Sequence, residues 1–434
     1  MSLPRVAPVV LSLILAFGAA GSLRAEPATG PADASAAYET ALRDGDVASV
    51  RAIAADARGG QAKRALASAA LEYWWGHDTQ AGPALSRAAS NPALTEGLHR
   101  MASIMLSGLR MRQSRYGDAA VALDAAIPRE TDANVRAELE QSRAFCAALA
   151  HVPAMTAHIP TQGDVHLTRD LATLMRGPVK INTGDIDAIV DTGSAVSSIR
   201  ESDAQRLGLH MLPGQVAVGT ATSASATTKL AIADSVSFGG ARFRNVVFLV
   251  MPDSALTFAN GAYVIHAIIG LPLLRQLGRI EFRADGDAQN MHFSRTRGTP
   301  GPDSNLMLDG EQAFLLAPID GADHPLRFFI DNGARTSHVN HRFVTDFPAI
   351  MASAQHQAVT RTGGAGSETQ NDAMVLPSLT LHIGAATTQI SNVDVFDDHH
   401  NDHHGDIGLD ALRTGGGYVL DFNAMRVELL PTPP

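Results

Sequence analysis

Two short stretches put an aspartate at the end of an apolar run and follow it with small residues. IDAIVDTGS closes on Asp191-Thr192-Gly193-Ser194, and LRFFIDNGA closes on Asp331-Asn332-Gly333-Ala334. The same landmarks lie behind each. SVSFGGARFRNVVFLV pairs with SLTLHIGAATTQISNVDVF, aligning Gly239 with Gly384, and AIIGLPLLRQLGRIEF pairs with DIGLDALRTGGGYVLDF, aligning Gly270 with Gly408. Asp191 and Gly270 are 79 residues apart, Asp331 and Gly408 77. Three landmarks in one order mark a duplicated unit. Such a unit can bring one carboxylate from each copy to within a few ångströms of the other. Like charges that close cannot both ionise cheaply, so the pair holds one proton between them. The ionised member can take a proton from water while the protonated member donates to a carbonyl oxygen, which is hydrolysis without a metal or a covalent nucleophile. A glycine two residues after each Asp lets backbone approach the carboxylate with no Cβ in the way.

Asp191-Thr192-Gly193-Ser194 and Asp331-Asn332-Gly333-Ala334 resemble the two active-site loops of aspartic peptidases. Each is followed by an apolar-apolar-Gly element, Ile268-Ile269-Gly270, or a near version, Asp406-Ile407-Gly408. The compact repeats resemble the bacterial retropepsin-like group, with both lobes fused in one chain as in pepsin. The resemblance covers residues 165–430 and implies an aspartic endopeptidase acting on peptide or protein substrates without a cofactor. On that basis Asp191 and Asp331 are the catalytic pair, with lobes at 165–298 and 305–430. It further implies that Thr192 hydrogen-bonds across the lobe interface, that Ser194 hydrogen-bonds Asp191, and that Gly193, Asn332, Gly333 and Ala334 complete the loops.

The second loop departs from the pattern. Asn332 stands where Thr or Ser is usual, and Ala334 offers no hydroxyl. Asn can donate and accept, but its amide is longer and planar, so an asymmetric grip is expected. The hairpins that would cover a substrate are VAVGTATSASATT (216–228), with Gly219 and Thr220, and VTRTGGAGSETQND (359–372), with Gly363 and Gly364. Neither carries the Tyr of a pepsin-like flap. The alternative reading is therefore kept: a catalytically weak or inactive relative that binds a peptide or partner through its helical part.

Two kinds of element must position these residues. From about 165 to 430, Val, Ile, Thr and Phe alternate with polar residues in short runs bounded by Gly, Asn and Asp, which reads as strands and tight turns. Residues 35–150 are instead rich in Ala, Leu, Arg and Glu with apolar positions three and four apart, which reads as helices. AAYETALRDGDVASVRAIAADA predicts two helices broken at Asp44-Gly45-Asp46. RYGDAAVALDAAIP predicts another, opening near Gly117-Asp118 and stopped by Pro128. The stretch resembles tetratricopeptide-type helical hairpins, most clearly at Tyr116 to Ile127, which suits either a partner-binding scaffold or a plain bundle. The fold class expected is thus an N-terminal all-α helical-hairpin region followed by a mostly-β, bilobed aspartic-peptidase fold.

Composition bounds the remainder. The chain has 434 residues, 45% hydrophobic and 18% charged, ordinary for a folded protein with a sizeable core. A formal charge of −10 with no Lys/Arg-rich run argues against nucleic-acid binding. MSLPR, then APVVLSLILAFGAA, then GSLRA has the order of a signal peptide over residues 1–25, cleaved after Ala25 and followed by a linker at 26–34. Export to a bacterial periplasm is expected, with secretion as the variant. The apolar stretch is short for a membrane anchor, and no later segment is long and apolar enough to span a bilayer. Cys146, the one cysteine, rules out an intramolecular disulfide and reads as a packed helix residue.

DVFDDHHNDHHGDIG pairs His399 with His403 and His400 with His404 at four-residue spacing, beside Asp397, Asp398 and Asp402. Asn, Asp and Gly dominate it, so a solvated loop is expected rather than a metal site. His338 reads as a strand residue.

Overall fold

The computed structural model describes residues 31–220, 223–295, 298–364, 367–396 and 402–432. Residues 1–25, read as a signal peptide, lie outside the described residues. Of the linker read at 26–34, the last four residues are helical, because the first helix starts at Pro31.

Seven helices come first: α1 (Pro31–Arg43), α2 (Val47–Ala55), α3 (Gln61–Trp74), α4 (Asp78–Ala88), α5 (Glu96–Arg112), α6 (Tyr116–Ala126) and α7 (Ala133–Ala148). Each packs on the next along the chain. Local chemistry sets the ends. The Asp46 carboxylate caps α2 by accepting the Ser49 N–H at 3.0 Å, and Asp132 caps α7 through the N–H groups of Asn134 and Val135. The break between α1 and α2 falls at Asp44–Asp46, as the sequence predicts, with Gly45 at φ +64°. Ala67, Ala69 and Ala70 are buried beside Leu66, Tyr73 and Trp74, so small side chains let the α3 backbone approach its neighbours. Among the described residues no helix is long and apolar enough to cross a membrane.

The rest is mostly strand. Among the described residues there are one 14-stranded, one 8-stranded and one two-stranded sheet. The first β unit runs from Gln162–Arg169 to Ala288–Ser294 and the second from Leu306–Asp309 to Arg426–Leu430. Gly239 and Gly384 both sit at positive φ, +56° and +61°, in the tight turns of corresponding long hairpins, a conformation that glycine adopts without strain. The two units meet in one ladder: Arg279–Asp285 of the first pairs antiparallel with Gly417–Asp421 of the second, setting Phe282 opposite Tyr418.

Two buried clusters divide the interior. One fills the β units. The other runs from the helices (Leu66, Met105, Phe145) into Ile189, Ala195, Val196, Val218, Ile268 and Phe329 of the β units. Side chains two apart share a strand face. Ile189 and Phe329 each lie two residues before an Asp of interest, so the helical core continues onto the strand faces that lead to Asp191 and Asp331.

Candidate active site

Each Asp directly follows a central strand whose last three residues, Ala188 to Val190 and Phe328 to Ile330, are apolar and buried. Gly184–Val190 leads into Asp191 and Leu326–Ile330 into Asp331, and each strand runs parallel to the apolar-apolar-Gly element of its own unit. That element holds the loop by the same bonds in both units. Asp191 N–H donates to Ile269 O and Asp331 N–H to Ile407 O, both at 3.0 Å; Leu271 N–H donates to Ser194 O and Leu409 N–H to Ala334 O, both at 2.9 Å. Gly270 N–H reaches Ser197 Oγ at 3.1 Å and Gly408 N–H reaches Ser337 Oγ at 2.9 Å. These glycines are required by contact: a Cβ on Gly408 would lie 3.0 Å from Ala334 O, and one on Gly270 would press on Ser194 O.

The loops bring the two carboxyls together. The Asp331 side chain stands close enough to Asp191 to act on its ionisation. A Cβ on Gly193 would stand 2.6 Å from the Asp331 Cγ, and one on Gly333 2.6 Å from an Asp191 carboxyl oxygen, so each glycine seats the other unit's carboxyl. Gly193 N–H donates to Asp191 Oδ1 at 2.8 Å and Gly333 N–H to Asp331 Oδ1 at 2.9 Å. Ser194 Oγ donates to Asp191 Oδ2 at 2.8 Å; the corresponding residue, Ala334, has no hydroxyl to give. Burial pushes the Asp191 carboxyl up to about 6 against these donors, which favour its ionised form.

The grip between the loops is asymmetric, as expected from Asn332. Thr192 Oγ1 accepts the Asn332 N–H at 3.1 Å and lies 3.0 Å from Ile330 O, to which it can donate. In return the Asn332 side chain accepts the Thr192 N–H on Oδ1 at 2.7 Å. Its Nδ2 turns to Tyr418 Oη at 2.9 Å. Tyr418 was not legible as a site residue, being 86 positions away with no pattern to single it out. Ser197 and Ser337 were legible in principle, since each stands six residues after its Asp in the aligned repeats.

Both carboxyls have 0% exposure. The residues after the first loop are covered as well: Ala195, Val196 and Ser197 share the walls of a small cavity with Met111, Tyr116 and Phe145 of the helical region. Helix α7 packs on the strand Val216–Thr220. Arg335, at the position of Ala195 in the second loop, is exposed.

Gly219 and Thr220 end the strand Val216–Thr220, whose hairpin partner begins at Ser223; Gly363 and Gly364 end Gln355–Gly364, paired with a strand from Ser367. Both stretches are hairpins, and their tips, 221–222 and 365–366, lie outside the described residues. So do Asp397, Asp398, His399 and His400. The end of that segment is not the solvated loop expected. His403 and His404 are 4% and 3% exposed. His403 Nε2 meets Asp406 Oδ1 at 2.7 Å, and Nδ1 lies 3.6 Å from Asp402. His404 Nδ1 accepts the Arg327 N–H at 3.2 Å. Carboxylate and backbone partners compensate the loss of water that composition alone would forbid. Among the described residues no group of three or more His, Cys, Asp or Glu is placed to hold a metal. His338 is in the strand His338–Asn340, with Nε2 3.5 Å from Asp406.

Residues 177–273 match the family described as aspartyl protease. The matched segment holds Asp191-Thr192-Gly193-Ser194 and Ile268-Ile269-Gly270, and it is less than half of the chain. The match supports an aspartic peptidase. Among solved structures, a retropepsin-like aspartic protease from Rickettsia conorii is similar at 19% identity over 32% of this chain and 94% of that one, with a TM-score of 0.21. No curated protein matches.

Proposed function

We propose that the chain is an exported aspartic endopeptidase whose two β units are the lobes of one fused enzyme. The observation that carries this is the seating of each carboxyl, Asp191 and Asp331, against the other unit's loop glycine, in two loops held by the same backbone bonds. Ser194 Oγ and Gly193 N–H both donate to Asp191, so the charge belongs there and the shared proton on Asp331. Asp191 takes a proton from water, whose oxygen attacks the substrate carbonyl carbon; Asp331 protonates the carbonyl oxygen. Collapse of the tetrahedral species breaks the C–N bond: Asp191 passes its proton to the leaving nitrogen, and Asp331 takes one back from a hydroxyl of the diol, which restores the pair. Cleavage should therefore rise with pH up through about 6 as Asp191 ionises.

The helical region restrains this enzyme. With the dyad at 0% exposure and Ala195 and Val196 against Met111 and Phe145, a peptide needs the helices to move first. The hairpins at Gly219–Thr220 and Gly363–Gly364 then close over the substrate. The residue 1–25 segment directs export, and purification of the mature protein from a periplasmic fraction should give Glu26 as its first residue.

The complete burial of the dyad also supports a second reading, an inactive relative that binds a partner through its helices. Cleavage of denatured casein by the purified chain, slowed by a pepstatin-type inhibitor, separates the two. Asp191→Asn and Asp331→Asn should each lower the rate by about 10²-fold or more. Equal rates in parent and variants would sink the peptidase reading.

A further inference from the structure

Asn332 occupies the place of a hydroxyl residue in the second loop, yet its amide is fully engaged. Its orientation is fixed by chemistry: the Thr192 N–H can only donate, so the atom 2.7 Å away is Oδ1. Nδ2 then faces Tyr418 Oη at 2.9 Å, and the phenol oxygen accepts. Tyr418 is itself held from both units. Its backbone is in the ladder with Arg279–Asp285, and its ring stacks on Phe282 with centroids 4.6 Å apart and planes 19° from parallel. Asn332 and Tyr418 are both buried. One amide thus joins the first loop, through Thr192, to the inter-unit ladder, through Tyr418.

We propose that Tyr418 is a positioning residue for the Asp191–Asp331 pair, fixing the second loop through Asn332 where a second loop hydroxyl would otherwise bond across the interface. This rests on the peptidase reading above. The amide nitrogen of Asn is one atom farther from the backbone than a Thr hydroxyl, so the Tyr–Asn pair works as a unit, and a threonine in place of Asn332 would leave Tyr418 idle. Without the phenol oxygen, Nδ2 is a buried donor with no acceptor. The amide then turns to find one, Oδ1 leaves the Thr192 N–H, and the Asp331 loop loses its register against Asp191.

The test is a double-mutant cycle in the full-length protein: parent, Tyr418→Phe, Asn332→Thr, and both together. Tyr418→Phe keeps the ring and its stacking on Phe282. With a quenched fluorescent peptide, Tyr418→Phe should lower kcat by about 10- to 100-fold while KM changes less than about twofold. In the Asn332→Thr background the same change should alter kcat by less than about twofold. An equal loss in both backgrounds, or no loss in a folded Tyr418→Phe protein, overturns the proposal. If Tyr418→Phe fails to fold while the double variant folds, the pairing stands; if both fail, Tyr418 is a packing residue only. Should the parent cleave no peptide, the peptidase reading falls by itself. The cycle is then read by NMR on the ionisation of the aspartates labelled with ¹³C at the carboxyl. A shift on Tyr418→Phe confined to the Asn332 background keeps the positioning role, and an equal or absent shift removes it.

Discussion

Tyr73, in the last turn of α3, donates its hydroxyl proton to Asp309 Oδ1 at 2.9 Å and accepts the Gly310 N–H at 2.6 Å. One hydroxyl therefore ties the helical region to the first hairpin of the second β unit. Arg327 completes the anchor from behind, with Nη2 3.1 Å from Asp309 Oδ2. Around it, Arg342 reaches Asp44 at 3.3 Å, and the Arg275 guanidinium donates to the Arg112 carbonyl.

Tyr73→Phe should loosen the helices without unfolding the β units. It strands the Gly310 N–H and removes a donor from Asp309, a cost of about 1–3 kcal/mol. Hydrogen exchange should quicken in α3 and α5, and casein cleavage should rise relative to the parent. Unchanged exchange would mean that the anchor contributes nothing to docking. Gly108→Ala should act the same way, since its Cβ would lie 2.5 Å from the Tyr73 hydroxyl and 3.0 Å from Gly310 Cα.

Ser194→Ala removes the hydroxyl donor to Asp191 and should raise the carboxyl further above about 6. The sign follows from what the donor stabilises: it favours the ionised form, so losing it favours the proton. The acidic limb of kcat/KM should move to higher pH, with the largest loss of rate on the acid side of the parent's limb. A pH–rate profile superimposable on the parent's would count against Asp191 as the base.

Gly333→Ala is expected to abolish cleavage and weaken the fold together. The new Cβ would stand 2.6 Å from an Asp191 carboxyl oxygen, with neither a flexible tip nor open space to absorb it. Gly214→Ala is the useful contrast. It lies at φ +83° with nothing within 4 Å, so its cost is backbone strain alone and the dyad is untouched. Urea unfolding and casein assays on both variants separate the two effects.

His404 should make the fold sensitive to acid. Burial lowers its imidazole to about 4, against the opposing pull of Asp346, while Arg342 lowers it further. The unfolded state binds the proton near pH 6.5 and the folded state only near 4, so stability falls as pH drops through that window. The full loss is about 3 kcal/mol at most. Asp191 works in the other direction: its folded value is raised, so its contribution is present at low pH and is lost as pH rises through about 6. His404→Asn keeps an acceptor for the Arg327 N–H and should remove the His404 part of the pH dependence of urea stability between about 4 and 6.5, leaving the opposing trend of Asp191. A slope equal to the parent's would place the acid sensitivity elsewhere.

Much of the framework was legible because local chemistry determines it. The break at Asp44–Asp46, the turns at Gly239 and Gly384, and the close contacts at Gly270 and Gly408 are short-range demands of backbone geometry. Asp191 and Asp331 were legible because the repeat exposes a pair where either alone would be an ordinary turn residue. What escaped is what depends on packing between distant segments. Tyr418 gains its role only when the inter-unit ladder forms. His403 and His404 lie in a polar stretch, and Asp402, Asp406, Asp346 and the Arg327 backbone make their burial tolerable. Amphipathic helices reveal that a face will be covered, not that it will continue onto the strands holding Ile189 and Phe329.

Asp191 and Asp331 lie on one chain, and the antiparallel ladder between Arg279–Asp285 and Gly417–Asp421 joins the two units that carry them. Their meeting is then a unimolecular event, as complete in a dilute solution as in a concentrated one. Each half also carries its own coding, so a change in one is not copied into the other. Thr192 and Asn332 can differ for that reason, and a site joined in this way is free to become two unlike halves with separate tasks.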